Sequence, residues 1–457
     1  METHHHKRSA FSGKLGFVLS AAGASVGLGN IWRFPYLAAK YGGGIFLLIY
    51  IILAFTFGYT MIVAETALGR MTKKSPVGAF AAFGKGGGFA FGGWINAIIP
   101  ILIVPYYSVI GGSVIKYLVE YLRGGGSALA QDGYFSEFIS SGVSVELCFV
   151  VFTLFTLGII YAGVRNGVER VSKCMMPVLA VLSVIIAVYS VTRPGALAGV
   201  KYFLVPNLDN FSWMTVVSAM GQMFYSLSIA MGILITFGSY MKKDVSIEGS
   251  TTNVEIFDTA IAIMAGLMII PAVFAFSGGD PDTLQAGPAL MFITIPKVFD
   301  SMGMGTVVGV MFFLLVLFAA VTSSIALTES AVSTFEDELG WKRHKSTLLI
   351  GVIMLALGSL SALGYGPLAG VTVFGMQFLD LFDFLTNSVM MPIAAIATCL
   401  LVSRVVGVDK IEEEVTQNGG QFRRKAVFNF MIRYLCPLFA AIILVSSVAN
   451  ALGWIKM

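Results

Sequence analysis

Two long apolar stretches of the sequence are interrupted by small and polar residues. Residues 21–36 read AAGASVGLGNIWRFPY, and residues 220–240 read MGQMFYSLSIAMGILITFGSY. Glycine inside a helix costs about 0.5–1 kcal/mol relative to alanine, so the helix is weak in both places. A break there frees backbone carbonyls for a small cation and leaves helix N-termini that suit an anion. Asn30 and Ser226 add hard oxygens, which favour an alkali cation over a transition metal.

A third polar group lies in residues 318–330, which read FAAVTSSIALTES. Ala319, Thr322 and Ser323 are spaced i, i+3, i+4 and share one helical face, which Leu327 extends by a turn. Buried serine and threonine commonly bond back to their own helix, so this pattern alone does not identify a site. If the hydroxyls face the break at residues 23–26, they form a second cation site.

Two carboxylates, Glu65 and Asp258, also lie well inside apolar sequence. A charge at the centre of a bilayer is expensive and usually functional. A structural role for Glu65, satisfied by neighbouring hydroxyls, remains open. For Asp258 we favour a role linked to the cation.

The composition indicates which elements position these residues. The chain has 457 residues, of which 57% are hydrophobic and 12% are charged. An ordinary soluble domain has roughly 25% charged residues. The charged fraction of this chain is much lower, which excludes a soluble enzyme, a nucleic-acid binder and a disordered protein. A helix needs about 20 apolar residues to cross a bilayer. Eleven stretches, which we call spans 1 to 11, meet that length: 13–38, 42–69, 90–122, 146–163, 167–192, 213–240, 251–277, 303–335, 346–363, 372–403 and 427–452.

The basic residues predict how these spans are oriented. Lysines and arginines concentrate in alternate loops, for example at residues 70–74, 242–243 and 423–425. Cytoplasmic loops carry this excess, so the N-terminus is predicted to be cytoplasmic. With eleven spans the C-terminus then lies outside.

The two interrupted stretches lie in spans 1 and 6, five spans apart. One such span is explained by glycine-rich helices that pack closely on their neighbours. Two interrupted spans in corresponding positions instead favour an inverted repeat, in which each half of the chain contributes one broken helix. In transporters, such broken helices surround the central binding site. We therefore predict a tail at residues 1–12, a first repeat at 13–192, a second at 213–403, and span 11 at 427–452.

Several motifs resemble the neurotransmitter:sodium symporter family. They are KLGFVLSAAGASVGLGNIWRFPYLAAKYGGGIFLLIY at residues 14–50, ALGR at 67–70, VPYYSV at 104–109, GQMFYSLSIAMG at 221–232, AAVTSSIAL at 319–327 and LDLFDF at 379–384. The resemblance covers nearly the whole chain. It implies an all-α membrane protein of the leucine-transporter type, with a 5+5 inverted repeat and broken helices 1 and 6. It further implies a transporter and not an enzyme, in a bacterial inner membrane.

The resemblance implies two sodium sites. The first sodium would be held by Ser25, Asn30, Ser226 and Asp258 together with the substrate carboxylate. The second would be held by Gly23, Val26, Ala319, Thr322 and Ser323. Chloride-dependent members have a serine where this chain has Ala262. An anionic Asp258 would supply the charge that chloride supplies elsewhere, so we expect no chloride requirement.

The resemblance also implies the substrate. Members that carry monoamines have an aspartate where this chain has Gly27, so the substrate here should bring its own carboxylate. The expected substrates are neutral, hydrophobic L-amino acids. The residues implied to bind them are Ser25, Leu28, Gly29, Ile103, Tyr107, Tyr225, Ser226, Ser228, Met231, Ser323 and Leu327.

Two gate pairs follow from the same resemblance. Arg33 and Asp383 would pair on the outside, and Arg8 and Asp337 on the inside. The leading hypothesis is therefore sodium-driven import by alternating access, by a monomer or a weak homodimer in the lipid bilayer. A non-transporting amino-acid sensor on the same fold is the alternative, because its binding residues would look alike.

Overall fold

Helices form the protein in the computed structural model, which describes residues 9–83, 87–278 and 287–454. The continuous spans are Gly44–Thr72 (span 2), Gly87–Leu122 (span 3), Val143–Tyr161 (span 4), Val164–Val191 (span 5), Ile247–Ser277 (span 7), Gly305–Leu339 (span 8), Arg343–Leu363 (span 9), Phe378–Val406 (span 10) and Lys425–Ala451 (span 11). Short helices connect them, among them Pro76–Phe83, Tyr134–Ser140, Ala196–Leu204 and Val408–Thr416.

Spans 1 and 6 are each divided into two helices. Span 1 consists of Lys14–Ser25 and Gly29–Lys40, whose axes differ by 55°. Span 6 consists of Trp213–Ser226 and Ile233–Tyr240, separated by residues 227–232. Within that separation Ser228, Ala230 and Gly232 have φ angles of 51°, 58° and 71°. An α-helix cannot continue through left-handed residues, so the break is built into the backbone.

The predicted number of spans holds for ten of the eleven segments. Among the described residues, nine helices are long and apolar enough to cross a membrane, and the bent pair of span 1 makes ten. Span 6 is not counted among these membrane-crossing helices, because residues 227–232 separate its two half-helices. The predicted fold class, an all-α polytopic membrane protein with broken spans 1 and 6, is confirmed.

The broken spans lie at the centre of the bundle. The first half of span 1 packs against spans 5, 7 and 8, and the second half of span 6 packs against spans 2 and 8. By contrast, spans 4, 5, 9 and 11 carry large exposed apolar side chains, including Leu147, Val181, Leu348 and Val445. Such faces suit contact with lipid. We call the face of the bundle at which span 1 begins the N-terminal face, and the other the opposite face.

Glu65 of span 2 is a buried carboxylate that supports the break in span 6. Its side chain is fully buried, and Oε1 accepts the backbone N–H of Ala230 at 2.7 Å. Unwinding span 6 frees that N–H from helical bonding, and a buried N–H without a partner is costly. The geometry therefore supports a structural role for Glu65.

Arg70, near the end of span 2, is a buried cation at the N-terminal face. Only 1% of its side chain is exposed, and Nε donates to Oε1 of Glu414 at 2.6 Å. Nη1 donates to the carbonyl of Val245 at 2.6 Å, and Nη2 donates to the carbonyl of Glu414. Arg70 thereby ties span 2 to the loop after span 6 and to the helix after span 10.

Replacing Arg70 by methionine is expected to destabilise the fold. The substitution leaves Glu414 buried without its charged partner, which typically costs about 3–5 kcal/mol. Thermal unfolding of the purified protein in detergent measures the effect. Glu412→Gln is the matched control, because its pair with Lys425 is partly exposed and such pairs contribute about 0–1 kcal/mol. A loss no larger for Arg70→Met than for Glu412→Gln would show that the buried network does not stabilise the fold.

Candidate functional site

The four residues expected at the first sodium are buried and come from three spans, and we call them the first oxygen cluster: Ser25, Asn30, Ser226 and Asp258. Each is at most 2% exposed. The Asn30 amide donates to Oδ1 of Asp258 at 2.8 Å and to the Ser226 hydroxyl at 3.0 Å. Ser226 in turn donates to Oδ2 of Asp258 at 2.9 Å. Spans 1, 6 and 7 thus meet at the two breaks and at one carboxylate.

Tyr50 of span 2 belongs to the same network, although the sequence analysis did not name it. Its hydroxyl donates to Ser226 at 3.0 Å and to Oδ2 of Asp258 at 3.2 Å. The only local sign of a role for Tyr50 is its polar hydroxyl within the apolar run LLIYIIL. Aromatic residues are common in apolar helices, so this sign does not identify a site residue. Its contact with Asp258 joins residues 208 positions apart. Only the folded chain brings them together.

The five residues expected at the second sodium form the second oxygen cluster: Gly23, Val26, Ala319, Thr322 and Ser323. The Ser323 hydroxyl lies 3.2 Å from the carbonyl of Gly23 and 3.4 Å from that of Val26. Thr322 donates to the carbonyl of Ala319 at 3.2 Å. The hydroxyl face of span 8 therefore does point at the break in span 1.

A cavity of about 30 Å³ lies between the two clusters. Its lining contains ten of the eleven residues expected to bind substrate, namely Ser25, Leu28, Gly29, Ile103, Tyr107, Tyr225, Ser228, Met231, Ser323 and Leu327. Ser226 does not line it and instead bonds to Asp258. Ala24 lines it without having been predicted, and Gly27 and Asn30 complete the wall. The lining has hydroxyls, amides and apolar groups but no charged side chain.

Two tyrosines bound the cavity. The Tyr107 hydroxyl accepts the backbone N–H of Leu28 at 3.3 Å. The Arg33 guanidinium carbon lies 5.3 Å from the centre of the Tyr225 ring, which places a cation over the ring face. Tyr107 is buried and Tyr225 is partly buried, and Tyr225 lines both this cavity and the larger cavity at the opposite face.

Above these tyrosines, a vestibule of about 690 Å³ opens at the opposite face. Arg33 and Asp383 both line it, but no ion pair within 4.0 Å joins these two described residues. Asp383 instead accepts from Asn387 at 2.6 Å and from the Tyr106 hydroxyl at 3.2 Å. The two residues of the expected outer gate thus line one cavity. Asp383 is bonded to Asn387 and Tyr106, Arg33 lies over the Tyr225 ring, and the pairing of Arg33 with Asp383 stays a prediction.

The inner gate is described only in part. Arg8 lies outside the described residues. Asp337, near the end of span 8, accepts the backbone N–H of Ser75 at 2.6 Å. This contact places Asp337 at the N-terminal face, where span 2 ends.

The donors at this site suit a monovalent cation. Both clusters consist mainly of oxygen atoms, although the first also includes the Asn30 amide nitrogen, and the first contains a single carboxylate. Within the described residues, no group of three or more histidine, cysteine, aspartate or glutamate side chains is placed to hold a metal. The two oxygen clusters contribute Ser25, Asn30 and Ser323 to the lining of one uncharged cavity.

The whole chain is similar to known transporters. The family model described as the sodium:neurotransmitter symporter family matches residues 8–125 and 135–454. The uncharacterized sodium-dependent transporter YhdH of Bacillus subtilis is 34% identical over 441 residues, which cover 95% of this chain and 96% of YhdH. An uncharacterized sodium-dependent transporter of Haemophilus influenzae is 30% identical over 461 residues, which cover 98% of this chain and 100% of the relative.

A solved structure agrees with this likeness. The crystal structure of MhsT in complex with L-phenylalanine matches with a TM-score of 0.87 at 33% identity, covering 96% of this chain and 100% of MhsT. The match of the family model over both broken spans, and the similarity along nearly the full length, agree with the resemblance seen in the motifs. The chain belongs to the sodium:neurotransmitter symporter family.

Proposed function

We propose that this sodium-dependent symporter imports neutral, hydrophobic L-amino acids by alternating access, with two sodium ions and without chloride. The observation that carries the proposal is the uncharged cavity between two buried oxygen clusters. A neutral zwitterion fits there because its carboxylate and ammonium can meet backbone groups freed by the breaks. The side chain of the substrate would then contact only uncharged lining residues.

The main-chain end of the substrate would bind at the breaks. Its carboxylate would meet the N–H groups of Leu28 and Gly29, the Tyr107 hydroxyl and the first sodium. Tyr107 accepts from Leu28, which leaves its phenolic hydrogen to donate to a carboxylate. The ammonium would meet the carbonyls of Ser25, Tyr225 and Ser226.

The side-chain end of the substrate would lie against Ile103, Met231 and Leu327. These residues are apolar, and the Ser228 hydroxyl beside them already donates to the carbonyl of Ala24 at 2.8 Å. The cavity of about 30 Å³ is narrow, so the fit of a large side chain would depend on how these residues pack. Met231 has the most rotatable bonds of the three, and methionine adapts to several shapes. The similar MhsT, solved with L-phenylalanine, supports aromatic substrates as well.

The charge balance supports sodium coupling without chloride. Asp258 is fully buried, and its described partners Asn30, Ser226 and Tyr50 are all neutral. A buried carboxylate without a cationic partner is costly, and a sodium ion in the first cluster would offset that cost. The carboxylate would supply the negative charge, so no chloride is needed beside it.

Coupling would arise because substrate and sodium share a ligand sphere. The substrate carboxylate would complete the first site, so each ligand would strengthen the other reciprocally. Outside sodium would favour the form open at the opposite face, and loss of the second sodium would open the N-terminal face. Residues 13–192 and 213–403 would be the two repeats, with Arg33 and Asp383, then Arg8 and Asp337, as gates.

The proposed setting is a bacterial inner membrane with the N-terminal face in the cytoplasm. Lys242, Lys243, Lys342 and Arg423 lie at that face, consistent with the excess of basic residues in cytoplasmic loops. The C-terminus would then lie outside the cell. Span 11 would end at the same outer surface as the vestibule.

Transport in proteoliposomes tests the proposal. Labelled leucine, phenylalanine, alanine, glutamate and lysine are offered with an inward sodium gradient, with potassium in place of sodium, and with gluconate in place of chloride. We expect sodium-driven accumulation of the hydrophobic substrates, no accumulation of glutamate or lysine, and no change in gluconate. Loss of uptake in gluconate would contradict chloride independence, and preference for a charged substrate would contradict the assignment of the pocket.

The same vesicles distinguish the alternative, an amino-acid sensor. A sensor would bind labelled amino acid in the presence of sodium but would neither accumulate it nor exchange it in counterflow. The transporter is expected to do both.

A further inference from the structure

Three sulfur atoms from three spans meet in the core, and none of them belongs to an oxygen cluster or lines either cavity described above. They are the sulfurs of Met61 in span 2, Cys399 in span 10 and Cys436 in span 11, and all three side chains are fully buried. The Cys399 thiol donates to Sδ of Met61 at 3.7 Å, and the Cys436 thiol is hydrogen-bonded to that of Cys399. We call this group the sulfur cluster.

The two cysteines of the cluster differ from the other two in the chain. Cys148 is partly exposed and Cys174 is exposed, whereas Cys399 and Cys436 are buried, and all four are free thiols. A single buried thiol commonly acts as a small apolar side chain. Two thiols in contact with each other and with a thioether are a different arrangement, because three metal-binding atoms of one kind lie together.

The sulfur ligands determine which class of ion fits the cluster. Thiolates and thioethers are soft ligands, which hold soft metal ions in preference to sodium, magnesium or calcium. Zinc in a structural site almost always takes four ligands. The cluster has only two thiols and a thioether, and the described part of the chain offers no group of three histidine, cysteine, aspartate or glutamate side chains for a metal. An ion that is satisfied by two thiolates therefore fits better than zinc.

The charge of the ion decides among the soft metals. Two thiols lose two protons when they become metal ligands. A monovalent ion such as Cu(I) would leave one net negative charge in the hydrophobic core that encloses the cluster, and such a charge is costly. A divalent ion leaves no net charge. Hg(II) is soft, divalent and two-coordinate with thiolates, so it meets all three conditions.

The helices beside the two cysteines contain wider turns than a regular α-helix. The π-helical turn Leu401–Val406 begins two residues after Cys399, and the π-helical turn Met431–Leu435 ends directly before Cys436. Such turns are rare and are often found at functional sites. Local adjustment of these turns would let the two thiolates align on opposite sides of one ion.

We propose that the sulfur cluster is a binding site for a soft divalent metal ion, Hg(II), which bridges Cys399 and Cys436 while Sδ of Met61 makes a weaker third contact. With HgCl₂ as the source, two S–Hg bonds form, two Hg–Cl bonds break, and the two thiol protons leave with the chloride ions, so no oxidation state changes. Neutral HgCl₂ can enter from lipid along span 11, where Leu438 and Val445 are exposed. The site does not depend on the proposed transport function.

Titration of the purified full-length protein with HgCl₂ tests the site. The double variant Cys148→Ser/Cys174→Ser serves as the background, so that only the two thiols of the cluster remain. We expect thiolate-to-mercury charge-transfer absorption that saturates at one ion per chain, and X-ray absorption that shows two short Hg–S bonds. The bridge closes a loop of about 40 residues, which should raise the midpoint of thermal unfolding by about 2–4 °C.

Single variants in that background identify the ligands. Cys399→Ala and Cys436→Ala should each weaken Hg(II) binding by about a hundredfold or more, because a second thiolate held beside the first no longer contributes. Neither variant should show the rise in unfolding temperature. Met61→Leu keeps both thiols and should weaken binding by a smaller factor. Restoring Cys174 is the matched control: its exposed thiol should bind a second ion weakly and without further stabilisation.

The results either support the site or overturn it. One bound ion that is lost in both alanine variants supports it. The site is wrong if the background variant binds no ion at one equivalent of HgCl₂, or if either alanine variant binds the ion as tightly as the background does. If an alanine variant does not fold, the serine variant at the same residue replaces it. Failure of the site leaves the sodium and substrate proposals intact, because no residue of the sulfur cluster contributes to them.

Discussion

Replacing Asp258 by asparagine is expected to lower the sodium affinity of substrate binding by about a hundredfold or more. Loss of one partner from a buried charge pair typically costs about 3–5 kcal/mol, and each 1.4 kcal/mol is a factor of ten. The amide keeps the size of the side chain and an oxygen for Tyr50 and Ser226, but it loses the charge and the acceptor that Asn30 uses. Sodium titration of labelled amino-acid binding to the purified protein measures it.

Chloride provides a second measurement on the same variant. If Asp258 supplies the charge that balances sodium, chloride should improve binding to Asp258→Asn relative to gluconate, while leaving the wild type unchanged. Asp300→Asn is the control, because Asp300 is exposed and bonds to the Ser127 hydroxyl at 2.6 Å. Wild-type sodium affinity in Asp258→Asn would rule out a role for the carboxylate in binding the ion.

Replacing Gly29 by alanine is expected to weaken substrate binding by about tenfold to hundredfold. A Cβ at residue 29 would lie 2.2 and 2.3 Å from Cδ1 and Cε1 of Tyr225. The ring must therefore move, and with it the Arg33 side chain that lies over it. Overpacking of this kind costs about 1–3 kcal/mol, and here it falls on Tyr225, which lines the cavity, and on the Arg33 side chain over it. Equilibrium binding of labelled phenylalanine and gel filtration separate this effect from misfolding.

Gly221 offers a matched control for that prediction. Gly221 lies in span 6, four residues before Tyr225. The nearest atom to a Cβ added at Gly221 would be Nη2 of Arg33, at 3.9 Å. Gly221→Ala should therefore bind substrate as the wild type does. Equal losses in both variants would mean that general helix effects, and not contact with Tyr225, account for the result.

The spans and the family follow from local features of the sequence. An apolar run of about 20 residues has few alternatives to a membrane helix, so most predicted ends lie within four residues of the observed ones. The motif at residues 14–50 and the hydroxyl pattern of span 8 are likewise contiguous or periodic in sequence. They predicted which residues would meet at the two oxygen clusters, and the structure brings those residues together.

Other contacts could not be predicted because their partners are far apart in sequence. Arg70 and Glu414 are 344 positions apart, and Met61 and Cys399 are 338 positions apart. Neither pair has a periodic or motif-like spacing. Each residue looks like an ordinary member of its helix until the helices pack around it.

The lining of the cavity also differs from the prediction at two residues, Ser226 and Ala24. Ser226 was expected both at the first sodium and at the substrate; its hydroxyl bonds to Asp258 and Tyr50, and it does not line the cavity, whereas Ala24 does. Both residues lie in the last turn of a half-helix beside a break, so whether they face the cavity depends on how the half-helices pack around it.

The sequence by itself determined the membrane fold, the family and the set of oxygens, because hydrophobic length, helix-breaking glycines and polar side chains are properties of single segments. The tertiary structure decided which oxygens converge, that Glu65 supports the break in span 6, and that the sulfurs of Met61, Cys399 and Cys436 meet. Those are properties of packing, in which buried polar groups must find partners wherever the fold places them.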